Sequence, residues 1–164
     1  MAAGDPILAA DYAGIRRATI DLILCRIRQS ATQSIPNNVA TAINMDAEDF
    51  DPFNIHAAGT PSRITPTQAG YYRFEGGAYM SPISTVWDVG IWKNGSTQIA
   101  SGQRETAGGA QAGRRAGALV YMNGTTDYVE VQVLQASGAA VNTNASARFA
   151  SWLECWFTGR TTNP

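Results

Sequence analysis

Residues 151–157 read SWLECWF, a strand-sized stretch that is apolar on both faces. In an extended chain successive side chains point to opposite sides, so an antiparallel strand with one wet face alternates apolar with polar residues. Here Leu153, Cys155 and Phe157 point one way, and Trp152 and Trp156, with Glu154 between them, point the other. A sandwich buries one face of each sheet, so a strand that is apolar on both needs a second covering layer. A neighbouring subunit supplies that layer most simply. This assigns Trp152, Glu154 and Trp156 to a contact between chains and Leu153, Cys155 and Phe157 to the sandwich core. The alternative puts Trp152 and Trp156 in the core, with Leu153, Cys155 and Phe157 beneath a loop or an N-terminal arm. Each buried aromatic ring removes about 150–250 Å² from water, worth several kcal/mol at about 25 cal/mol per Å² before entropic costs. Large apolar patches are seldom left exposed, which favours the contact between chains.

The rest of the chain is patterned the same way. Short runs rich in Val, Ile, Tyr, Trp and Thr, separated by Gly, Asn, Pro and Ser clusters, predict about eight strands of an antiparallel sandwich. The clearest are residues 71–80, 84–93, 115–122, 127–135 and 147–157, with weaker candidates at 25–30 and 39–44. Asn94-Gly95 and Asn123-Gly124 each fall between two runs, and this dipeptide tolerates the positive φ of tight turns. Residues 9–27, AADYAGIRRATIDLILCRI, read instead as a short helix capped by Asp11, with Ile15, Thr19, Leu22 and Ile23 near one face. Residues 108–117, GGAQAGRRAG, read as a flexible loop. The expected organisation is an N-terminal arm over residues 1–24 and an all-β domain over 25–164.

Composition narrows the function. With 164 residues, 45% of them hydrophobic, the chain can fill one core. Only 15% of residues are charged, Lys93 is the sole lysine and the net charge is -1, so the basic surface that nucleic acid requires is missing. The longest apolar run, Ile20 to Cys25 interrupted by Asp21, is too short to cross a bilayer, and the first residues lack the charged and apolar regions of a signal peptide. No membrane partner and no secretion are expected. Cys25 and Cys155 are too far apart for a zinc or redox motif and read as buried free thiols.

No constellation of side chains announces catalysis. His56 is the only histidine and lacks a nucleophile elbow, so it reads as a loop residue with one hydrogen bond. Asp46, Glu48, Asp49 and Asp51 offer oxygen ligands but not an EF-hand spacing or its glycine; a solvated turn is the expectation. The glycines before Arg114-Arg115 have neither the helix context nor the lysine of a phosphate cradle, and the arginine pair itself reads as solvated. Of three Asn-X-Ser/Thr triplets, at Asn94, Asn123 and Asn144, the first two are explained as turns. No catalytic residue, metal or cofactor is therefore assigned.

The order of motifs, from QSATQSIPNNVATAINMDAEDFD through PSRITPTQAGYYRFEGGAYM, IWKNGSTQIA and DYVEVQVLQ to FASWLECWFTG, resembles the globular jelly roll of the complement and tumour necrosis factor superfamily across residues 25–159. It is similar in particular to the versions in virion proteins of tailed bacteriophages, through SIPNN, SRITPTQAGYY and the KNG turn, and AGDPILAADYAGI resembles the leader of small phage structural proteins. The resemblance implies a homotrimeric jelly roll without catalytic activity, located in the virion as a capsid decoration or head-fibre protein. Its arm, through Ile7, Leu8, Tyr12, Ile15, Arg16 and Arg17, would dock on the major capsid protein or another virion protein. The alternative is a tail-associated module whose partner is a host-surface glycan.

Overall fold

The computed structural model describes residues 23–102, 105–106 and 112–158, and every regular element among them is a β-strand. In chain order these are β1 (Ile23–Arg28), β2 (Ser34–Ile35), β3 (Thr41–Ala42), β4 (Ala47–Phe50), β5 (Arg63–Ile64), β6 (Gly70–Met80) and β7 (Val86–Lys93). They continue with β8 (Thr97–Ser101), β9 (Glu105–Thr106), β10 (Ala112–Met122), β11 (Val129–Gln135), β12 (Val141–Asn142) and β13 (Trp152–Phe157). One sheet has the order β10-β6-β13-β1-β4; the second is built on β3-β11-β7-β8, with β5 against β11 and β9 against β7, and β12 pairs β2 separately. From β6 onward the long strands alternate between sheets: β7 and β8 lie in the second, β10 in the first, β11 in the second and β13 in the first. All ladders are antiparallel, and the winding is that of a jelly roll.

Alternation fixes which side of each strand fills the sandwich. In β6 the inward set is Tyr72, Phe74, Gly76, Ala78 and Met80; it meets Trp87, Val89 and Ile91 of β7 and Val129, Val131 and Val133 of β11 in one buried cluster. Each large apolar side chain in that cluster contributes about 1.5–3 kcal/mol relative to exposure. Gly76 sets the spacing of the sheets at its position, because a Cβ there would stand 2.5 Å from Val131 Cγ2. Cys25 and Cys155 face each other across β1 and β13, fully buried and both free, and burial pushes both thiols upward from their ordinary range.

Three expectations are corrected. The helix expected over residues 9–27 is a strand from Ile23 onward, because Cys25 and Ile27 alternate with Arg26 and Arg28 and pair with β13. The first described strand thus starts just ahead of the expected boundary; residues 1–22, with Ile7, Leu8, Tyr12, Ile15, Arg16 and Arg17, lie outside the described residues. The loop expected over residues 108–117 is strand from Ala112, held by an unbroken register from Ala112↔Met80 to Met122↔Gly70. The acidic segment expected as a turn contains the edge strand β4, paired to β1. Asn94-Gly95 closes the β7-β8 hairpin, with positive φ at both residues (54° and 69°), whereas Asn123-Gly124 carries the chain from one sheet to the other.

Candidate functional site

The outer face of the five-stranded sheet is where the two-faced strand leads. On β13, Leu153 and Cys155 are fully buried in the sandwich and Phe157 is half-buried, its ring 5.1 Å from that of Tyr72. Trp152, Glu154 and Trp156 occupy the other face, each half-buried. Register carries this face sideways. Trp152, Glu154 and Trp156 lie opposite Gly77, Glu75 and Arg73 of β6, and Arg115, Gly117, Leu119 and Tyr121 of β10 lie opposite Gly77, Glu75, Arg73 and Tyr71. In the sequence β13 alone is apolar on both faces, but the alternation in GYYRFEGGAYM also places Tyr71 and Tyr79 on this side.

Glycines make this face flat. A Cβ on Gly77 would stand 2.9 Å from Trp152 Nε1, and one on Gly113 would stand 2.2 Å from the Tyr79 ring. Gly77 and Gly113 are the register partners of Trp152 and Tyr79, so each ring lies across the bare backbone of the neighbouring strand. Glu75 lies over Gly117 in the same way. Tyr71 and Tyr121 meet edge to face with centroids 5.4 Å apart, and Leu119 beside them is 64% exposed.

Charge crosses the face in pairs. Arg26 donates to Glu154 Oε2 at 3.0 Å and to Asp49 at 3.1 Å, and its guanidinium stands 5.3 Å from the centre of the Trp152 ring. Arg28 donates to Asp49 at 2.9 Å, and Arg73 donates to Glu75. Glu154 and Glu75 are directly opposite, a like-charge pair that needs these arginines. Burial pushes the Glu154 carboxyl above its ordinary range; Arg26 pulls it back and Glu75 adds to the rise.

Elsewhere the chemistry-bearing side chains are committed to holding loops. His56, expected to make one bond in a loop, is buried and makes two: Nδ1 is 2.7 Å from Glu48 and Nε2 is 3.3 Å from the Pro61 carbonyl. The acidic cluster is divided among separate partners, with Asp46, Glu48 and Asp49 exposed and Asp51 half-buried. Asp46 accepts from the Ser30 N–H and hydroxyl, both at 2.6 Å, Asp49 takes the two arginines, and Asp51 accepts from the N–H groups of Ile55 and His56. Among the described residues no group of three or more His, Cys, Asp or Glu could hold a metal ion. Arg114, expected as solvated, lies with its guanidinium 4.7 Å from the centre of the Trp87 ring. Asn123 spends its side chain on the turn it starts, accepting from the Asp127 N–H, whereas the Asn94 side chain reaches across to the Tyr128 N–H and Asp127.

No protein-family model matches the chain, and no curated protein matches it. Solved structures do. Eiger TNF from S. frugiperda aligns with a TM-score of 0.61 at 7% identity, over 87% of this chain and 97% of that one. Murine APRIL aligns with a TM-score of 0.64 at 9% identity, covering 83% and 98%. The globular domain of the zebrafish complement 1qA protein aligns with a TM-score of 0.53 at 11% identity, covering 80% and 99%. At such identities the likeness is one of fold. The chain has the jelly roll shared by tumour necrosis factor and complement 1q globular domains.

Proposed function

We propose that this chain is a non-enzymatic structural protein of a tailed-bacteriophage virion, a homotrimeric jelly roll that decorates the capsid exterior and is attached through its N-terminal arm. The observation that carries the trimer is the flat aromatic face: Trp152, Trp156, Tyr71, Tyr79 and Tyr121 with exposed Leu119, on the side of the sheet that the sandwich does not cover. A lone chain leaves those rings half in water, and neighbouring copies packed around a threefold bury them without any other kind of partner. Support for the virion comes from the sequence, through the SIPNN, SRITPTQAGYY and KNG segments and the apolar leader. That leader carries Ile7, Leu8, Tyr12 and Ile15, side chains that seek cover, and Arg16 and Arg17 beside them suit a carboxylate-bearing surface. Three arms per trimer multiply weak contacts into stable attachment.

The test is to locate the protein on intact particles by electron microscopy and to repeat the experiment with residues 2–18 deleted. The proposal expects a soluble, trimeric truncated protein that no longer binds empty particles. Full occupancy by the truncated chain would contradict attachment through the arm, and loss of trimerisation would assign the arm to the core.

A further inference from the structure

The second sheet carries a pocket on its solvent face, on the opposite side of the sandwich from Trp152 and Trp156. It holds about 160 Å³ and is lined in part by Asp88, Gly90 and Trp92 of β7, Gln98 of β8, and Gln132 and Leu134 of β11. Gly90 lets two of its side chains close in. A Cβ there would stand 2.6 Å from Gln98 Nε2 and 2.8 Å from Trp92 Nε1, so an amide and an indole N–H converge over bare backbone. Gln132 is 7% exposed, and its amide nitrogen donates to Glu130 Oε1 at 2.7 Å and to the Gly95 carbonyl at 3.4 Å, which fixes its oxygen as an acceptor. Asp88 is set by Ser101, whose hydroxyl lies 3.0 and 2.9 Å from its two oxygens.

We propose that this pocket binds the terminal neutral sugar of a glycan. Size comes first. A cavity of about 150 Å³ takes a ligand the size of benzene, whereas drug-sized ligands need about 300–1,000 Å³. The pocket therefore seats one face of a single sugar ring, with its outer hydroxyls and the remainder of an oligosaccharide in solvent. The chemistry comes second. A sugar ring has an apolar C–H face and a rim of hydroxyls that both donate and accept. The site answers with the Trp92 indole and Leu134 for the face, the Trp92 N–H and the Gln98 amide as donors, and Gln132 and Asp88 as acceptors. Charge decides the class, because the lining includes a carboxylate and no lysine or arginine, so a sialic or uronic acid would meet repulsion. The site belongs to a single chain and does not depend on trimerisation.

The experiment is a proton–nitrogen NMR titration of isotope-labelled full-length protein with the methyl glycosides of galactose, glucose, mannose and N-acetylglucosamine at millimolar concentration. The Trp92 indole signal is identified by its loss in Trp92→Phe. At least one glycoside should shift that signal saturably. Trp92→Ala should abolish binding, and Gly90→Ala, whose Cβ would crowd the Gln98 amide, the Trp92 ring and the Ala100 carbonyl, should weaken it at least about tenfold. Gln98→Ala, at an exposed position, gives the same reading should either of those fail to fold. No saturable shift with any glycoside would overturn the proposal, as would binding that survives all three substitutions.

Discussion

Glu154 sits at the centre of the aromatic face, opposed by Glu75 and held by Arg26. Burial raises its carboxyl above the ordinary 4.5, so between that value and the raised one the folded chain binds more protons than the unfolded chain. Stability from this group therefore falls as pH rises through that window. Replacing Glu154 by Gln should remove the dependence: the difference in melting temperature should move in favour of the variant as pH is raised from below 4.5 to neutral. A constant difference would show that Arg26 compensates fully. Gln29 poses a simpler problem, being fully buried with neither amide atom hydrogen-bonded among the described residues. Gln29→Met keeps the shape and removes the desolvated amide, and thermal denaturation should show a gain of about 1–3 kcal/mol. What the sequence disclosed at this scale was identity and side: alternation separates Leu153 and Cys155 from Trp152 and Trp156. It could not disclose that Glu48 engages His56, because that contact is made by a strand and a loop whose spacing carries no motif.

The elements that set the two loop ends depend on one carboxylate. Asp127 accepts from Asn94 Nδ2 at 2.9 Å and from the Asn123 N–H at 3.0 Å, and pairs with the chain's sole lysine, Lys93, at 2.8 Å. Lys93 also donates to the Tyr121 carbonyl at 2.7 Å, so the β7-β8 hairpin and the β10-β11 crossing are tied together. Burial works against the charge, yet the Asn94 and Lys93 donors hold the Asp127 carboxyl below its ordinary 3.8. Its contribution is complete above 3.8 and is lost as pH falls through the lowered value. Asp127→Ala should cost about 1–3 kcal/mol at neutral pH in denaturant titration, with the deficit shrinking in acid. The long strands were legible because β6, β7, β10 and β11 repeat at period two between turn residues. β4 was not, since Glu48 and Asp49 carry the same charge on its two faces and conceal the alternation. The first residues of β10 were masked by glycine and alanine, whose strand state is imposed by pairing with β6 and not by propensity.

At the scale of the molecule, one sandwich exposes two sheet faces of different character. The β10-β6-β13-β1-β4 face is broad, aromatic and flattened by Gly77, Gly113 and Gly117; the other carries the pocket lined by Gly90, Trp92 and Gln98. The proposed assembly hides the first and leaves the second in solvent, which is the arrangement a surface-decorating trimer with a sugar site would need. The fold was legible in the order of motifs, whereas the lateral extent of the aromatic face was not, because it is assembled from strands far apart in the chain. Light scattering coupled to size-exclusion chromatography at micromolar concentration tests the association directly, on the parent chain and on Trp156→Asp. The account predicts three times the 17.5 kDa chain mass for the parent and a smaller species for the variant, whose carboxylate would lie in a dry contact. A parent protein that runs as a stable, soluble 17.5 kDa monomer would contradict it.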